Sequence, residues 1–143
     1  MSQVYFTRDN LADKLRMHGI NPTHQRIEIA YALFSRQSHL SADQVMAIVN
    51  EKHSETSKAT VYNTLNLFRQ KNLVREVIVD PSKVFYDSNT DPHYHIYNVE
   101  TGELTDIDAS QVHISGLPEL PGGVVCEGMD VIVRVRSGST ADG

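Results

Sequence analysis

A chain of 143 residues has room for one domain or for two small lobes, and lobes of that size need each other or a partner chain to complete a core. A hydrophobic content of 40% with mixed charge excludes a disordered chain, no apolar run approaches the roughly 18 residues of a membrane span, and the opening Met-Ser-Gln-Val-Tyr is no signal peptide. One cysteine, Cys126, excludes an internal disulfide framework and fits a reducing cytoplasm; a net charge of −5 counts against nucleic-acid binding unless it is unevenly spread.

The charge is unevenly spread. Residues 1–80 carry ten Lys/Arg and eight Asp/Glu, a balance of +2, whereas residues 81–143 carry three and ten, a balance of −7. The first part can therefore present a basic face to nucleic acid, with an affinity that depends strongly on salt.

In chain order, residues 8–18 read as a helix with Leu11, Leu15 and His18 on one face, stopped by Gly19. Pro22-Thr23 opens a second helix facing inward through Ile27, Ala30, Tyr31 and Phe34. Ser41 caps a third, with Val45, Ile48 and Val49 as its apolar stripe, and Ser57 caps a fourth, SKATVYNTLNLFRQKN, with Val61, Leu65 and Phe68 inward. After Asn72 the hydrophobic period changes to two. Residues 73–79, the turn Asp80-Pro81-Ser82 and residues 83–86 predict a β-hairpin. Short helices followed by a hairpin is the order of a winged helix-turn-helix. Further strands are expected at 94–99, 103–107 and 130–136, separated by the helix-breaking run GLPELPGG, so the fold class is α+β. Cys126 is expected to be a small buried hydrophobe, and His113 to be unremarkable.

Two stretches carry chemistry. With Val61, Leu65 and Phe68 turned inward, the fourth helix leaves Lys58, Thr60, Tyr62, Asn63 and Asn66 outside. In a helix-turn-helix that face enters the major groove, where Asn can pair with adenine, Thr and Tyr can meet thymine methyls, and Lys takes phosphate. Arg26 and Lys14 are candidates for further backbone contacts. The plainer alternative is a solvated polar helix face.

The second stretch is Val84–Asp108. His93 and His95, two apart on a strand, present their imidazoles on one face, with Tyr94 turned away. Asp87 precedes a polar turn that can fold it back towards the pair, and Asp106 lies on the next strand, with Asp108 its nearest rival. A set of N and O donors with no thiolate suits Fe²⁺, Mn²⁺ or Zn²⁺ better than a closed structural zinc site.

At these residues the chain resembles a family. GINPTHQRIEIAYALF, HLSADQV, KATVYNTLNLF and DSNTDPHYH are similar, in the same order, to motifs of the ferric uptake regulators, and the match spans roughly residues 8–108. Within the family, ATVYNTLNLF, the run LVREVIVDPSKVFYDSNT and the short ending GLPELPGG…DVIVRVR look most like the iron response regulator branch, with the peroxide regulators as next neighbours. The resemblance implies a winged-helix DNA-binding domain over 1–86, a hinge at 87–92 and a dimerisation and metal-sensing domain over 93–136; residues 137–143, SGSTADG, read as a disordered tail. It also implies a cytoplasmic homodimer on a palindromic double-stranded DNA operator, acting mainly as a repressor of iron and haem homeostasis genes. His39, Asp87, His93, His95 and Asp106 match the peroxide-regulator set of metal ligands. Asn98 and Thr101 stand where many members carry a CxxC pair, so no structural zinc is expected. His24 stands where an Arg is typical. Haem, for which His93 and His95 are the candidate ligands, remains open beside Fe²⁺ and Mn²⁺ as the signal, as does peroxide sensing through oxidation of a ligand His. Two rivals remain. One is a non-haem iron enzyme built on His-x-His plus carboxylate; the other is a winged helix that binds protein instead of DNA.

Overall fold

Each of the four α-helices among the described residues begins at a side chain that satisfies its free backbone amides. Thr7 caps α1 (Arg8–Met17), Thr23 caps α2 (His24–Phe34), Ser41 caps α3 (Ala42–Asn50) and Ser57 caps α4 (Lys58–Gln70). At Ser41 the bonding is reciprocal: its Oγ accepts from Gln44 N, and Ser41 N donates to Gln44 Oε1. Replacing Ser41 by Ala is expected to cost about 1 kcal/mol, read as a lower urea midpoint at unchanged slope. The ends are equally local. Gly19 (φ 75°) and Asn72 (φ 60°) adopt the left-handed conformation, and Ile20 N and Leu73 N then bond back to Leu15 O and Phe68 O. Asparagine tolerates that conformation better than most residues.

The computed structural model describes residues 6–35, 39–51 and 56–138, and the chain divides into two units, Met1–Thr90 and Asp91–Gly143. The opening five residues and, of the expected tail, residues 139–143 lie outside the described residues.

In the first unit the helices precede a three-stranded antiparallel sheet of order β1-β3-β2, formed by β1 (His39–Leu40), β2 (Arg75–Asp80) and β3 (Lys83–Asp87). The hairpin turn is held by Asp80 Oδ1, which accepts from both Ser82 N and Ser82 Oγ at 2.8 Å. This is a winged helix, with α4 as the helix that precedes the wing. Leu11, Leu15, Ile29, Leu33, Val45, Leu65 and Phe68 are its deepest side chains. The inward residues expected of α4 are buried as read. For α2, Ala30 and Phe34 are buried as expected and Ile27 and Tyr31 are half-buried, while Ile29, Ala32 and Leu33 are buried as well. Glu28 also lies on the buried side, where Arg8 pairs with it through two bonds of 2.6 and 3.0 Å. Arg8 also lies over the Tyr31 ring, 4.3 Å from its centroid. That carboxylate holds the guanidinium above its usual pKa.

The second unit is a mixed sheet of order β5-β4-β6: β4 (His93–Asn98) runs antiparallel to β5 (Leu104–Asp108) and parallel to β6 (Ile132–Val135). After the single 3-10 turn Ala109–Gln111, residues 112–131 form no helix or strand. Cys126 lies in this segment and is exposed, its Sγ 3.5 Å from Gly128 O, which corrects the expectation of a buried hydrophobe. No regular element of its own segment packs over it. Among the described residues the buried apolar side chains of this unit are Tyr97 and Leu104, while Leu117, Leu120, Val124, Val125, Met129 and Val133 are exposed.

Candidate metal centre and nucleic-acid interface

Two residues of the first unit meet through strand pairing. β1 is only two residues long, but its register against β3 sets His39 opposite Asp87. Asp87, the last residue of β3, is buried; its Oδ1 accepts from Asn89 N at 2.9 Å, and its Oδ2 lies 3.0 Å from His39 Nε2. The turn-forming role and the pairing role of Asp87 therefore coexist on different oxygens.

In the second unit the antiparallel register sets His95 opposite Asp106 and His93 opposite Asp108, all on one face. Both histidines are buried, although His is a poor core residue, and their rings meet edge to face at 4.6 Å. Asp106 Oδ1 is 3.5 Å from His93 Nε2 and 3.7 Å from His95 Nε2. These separations are too long for good hydrogen bonds. They suit donors around a common cation, since metal–ligand lengths of about 2.1 Å put neighbouring ligand atoms roughly 3 to 3.5 Å apart. The orientation of His93 fits as well: its Nδ1 lies 2.6 Å from Asp91 O. A carbonyl only accepts, so Nδ1 carries the proton and Nε2 presents its lone pair to the site. Asp108 does not converge in the same way. Its carboxylate accepts from Ser110 N at 2.9 Å, and that bond first, with the Ser110 side chain second, holds its carboxyl below the usual range. His113 is exposed and lies outside both groups of facing donors, His39 with Asp87 in the first unit and His93, His95 and Asp106 in the second.

The expected DNA-reading residues are less uniform than the sequence suggests. Tyr62, Asn63 and Asn66 are exposed on α4, and Thr60 is half-buried. Lys58 Nζ lies 4.0 Å from Asp43 Oδ1 and 5.8 Å from the Tyr62 ring centre, near the helix start. Arg26 turns back to donate to Asn21 O at 3.0 Å, and Lys14 covers the Phe34 ring with its ammonium 5.4 Å from the centroid. Ala59, Arg69 and Gln70 are exposed on α4 as well, and Ala59 lies one turn before Asn63 on the same face. Alanine carries no chemical signal, so only its place on the helix finds it.

A model of the ferric uptake regulator family matches residues 17–116, which include every residue of both candidate half-sites and of α4. The chain belongs to the ferric uptake regulator family. Curated relatives include the peroxide-responsive repressor PerR of Staphylococcus epidermidis, 35% identical over 98 residues that span 68% of this chain and 65% of that one. That of Staphylococcus aureus (strain Mu50) is 33% identical over 99 residues, spanning 69% and 67%. This family member thus aligns with about two thirds of those relatives' length. Solved structures share the fold. A ferric uptake regulator from Pseudomonas aeruginosa with manganese superposes at a TM-score of 0.67 with 22% identity, over 89% of this chain and 97% of that one. The Campylobacter jejuni peroxide stress regulator gives 0.59 with 21% identity, over 92% and 96%. Such a family is one of regulators, not enzymes, which sets aside the non-haem iron enzyme reading. No helix among the described residues is long and apolar enough to cross a membrane.

Proposed function

We propose that this protein is a metal-responsive, DNA-binding transcriptional regulator in which one cation is held by His39 and Asp87 of the first unit and His93, His95 and Asp106 of the second. The observation that carries the reading is the His93–His95–Asp106 group: two buried imidazoles and a carboxylate facing one another, with the His93 tautomer fixed by Asp91 O. Such a nitrogen and oxygen set suits Fe²⁺ or Mn²⁺, and takes Zn²⁺ as well. A bound cation supplies positive charge that satisfies the carboxylates and links donors from both units.

The residues' roles follow from that. His39 and Asp87 sit at the edge of the wing, and residues 87–92 are the hinge across which ligand attachment restricts movement. In a cytoplasmic homodimer that restriction sets the spacing of two α4 helices, which must match half-sites of a palindromic operator about one helical turn apart. A signal can shift the population only by its differential affinity for the DNA-competent arrangement. The exposed apolar side chains of residues 117–133 support a second copy as partner, because the second unit buries so little apolar surface itself. Repression of iron and haem homeostasis genes is the output we assign, as in the iron response regulator branch; haem taken by His93 or His95 is a second signal. The curated relatives favour one alternative, a peroxide-sensing repressor using the same donors, beside which stands a manganese-responsive one.

Titrating Mn²⁺ into the metal-free full chain, with free Mn²⁺ read by electron paramagnetic resonance, tests the proposal. One ion per chain is expected. No saturable uptake of Mn²⁺, Fe²⁺ or Zn²⁺ would sink it.

A further inference from the structure

Asp87 belongs to a row of three residues that the sheet of the first unit sets side by side. β3 is the central strand, and its register places His39 of β1 on one side of Asp87 and Arg75 of β2 on the other. Residues directly opposite in antiparallel strands share a face, with Cβ atoms about 5 Å apart. A guanidinium therefore shares its face with a buried carboxylate whose oxygens already meet Asn89 N and His39 Nε2. Arg75 is half-buried, and the next row on that face, Val77 with Phe85, is buried and apolar. Such a wall limits the screening of charge by water. Glu76, the neighbouring acid, belongs to the opposite face, where its Oε2 is 4.0 Å from Arg69 Nε.

We infer that Arg75 is a built-in counter-charge to Asp87, which supports the metal-free chain and lowers the affinity of the site for divalent cations. The inference rests on the metal-centre reading above and deepens it, because it names what sets the threshold of the response. A buried carboxylate is costly unless a positive charge faces it. Without a cation, the guanidinium supplies that charge across the strand pair. Asp87 can hold a divalent ion only beside the same guanidinium, which repels the ion. One charge thus has two opposite consequences: Arg75 stabilises the chain without metal and opposes its loading. The repulsion depends on charge, not on ligand preference. It therefore lowers Mn²⁺, Fe²⁺ and Zn²⁺ binding by a similar factor, raising the concentration at which the site fills without altering the choice among them.

The test compares the full chain with Arg75→Gln, which removes the charge, and Arg75→Lys, which keeps it. In metal-free buffer, urea denaturation should show Arg75→Gln less stable than wild type and Arg75→Lys close to it. That destabilisation should vanish when Asp87 is already replaced by Asn. In competition titrations against a chromophoric chelator, Arg75→Gln should bind Mn²⁺ and Zn²⁺ more tightly by a similar factor. The gain is roughly ten- to fiftyfold for one charge removed from beside a divalent ion in partly wet surroundings. Arg75→Met, equally uncharged, repeats both measurements and guards against a folding defect peculiar to the glutamine. An arginine that only holds the sheet together would, on removal, weaken stability and metal binding alike. A weaker or unchanged affinity in both uncharged variants, an equal gain in Arg75→Lys, or a stability loss that persists beside Asp87→Asn would overturn the inference. Failure of the wild type to take up either ion saturably would overturn the metal-centre reading itself, and this inference with it.

Discussion

Replacing His93 and His95 together by Ala is expected to lower Mn²⁺ affinity by more than about a hundredfold, since losing even an outer-shell partner of a metal ligand costs about 10- to 100-fold. The two imidazoles are the buried donors of the second unit, and nothing else on that face of β4 can replace them: the next inward residue is Tyr97. His95 is only 1% exposed, so its removal also leaves a gap in a small unit. Asp106→Asn is the companion that separates the two effects. Its side chain is about half exposed, at 48%, and the substitution keeps its shape while removing a charge-bearing donor. Calorimetric titration should show weaker Mn²⁺ binding by Asp106→Asn with an unchanged far-ultraviolet spectrum. Wild-type affinity in both variants would remove these residues from the site.

The second large effect is on stability. Phe68→Ala is expected to destabilise the chain by about 3 to 5 kcal/mol, the usual cost of emptying an aromatic core position. Phe68 is fully buried, near the end of α4, and its carbonyl accepts from Leu73 N as the chain turns into the wing. Removing the ring therefore loosens the packing of the helix that bears the proposed DNA-reading face. A domain has roughly 5 to 15 kcal/mol in hand, so the loss is a large share of the total. Urea denaturation should show the midpoint falling sharply at a similar slope. A midpoint within about 1 kcal/mol of wild type would mean that the core relaxes around the gap.

The helices were legible because their signals are local. Caps at Ser41 and Ser57, and the three-and-four spacing of Val61, Leu65 and Phe68, need no knowledge of the rest of the fold. The α2 face was legible in part: Ala30 and Phe34 are buried as expected, but the buried side also takes Ile29, Ala32 and Leu33, and a distant partner, Arg8, pairs with Glu28 there. β1 went unread because two residues carry no period, yet its pairing with β3 is what sets His39 beside Asp87. The His-x-His pair was visible from strand alternation alone. The choice of Asp106 as the residue facing it, with Asp108 turned to Ser110, depends on register and on one backbone amide. Cys126 shows the opposite limit: hydrophobic character says a residue can be buried, but not that an element exists to bury it.

One measurement bears most directly on the account: fluorescence anisotropy of the full chain on an inverted-repeat duplex that it selects, with and without Mn²⁺, beside Asp106→Asn. Mn²⁺ is expected to change wild-type affinity, and the variant to require a higher Mn²⁺ concentration for the same change. Specific binding of wild type and variant that is identical with and without the ion would contradict it, leaving a DNA reader with no metal sensor.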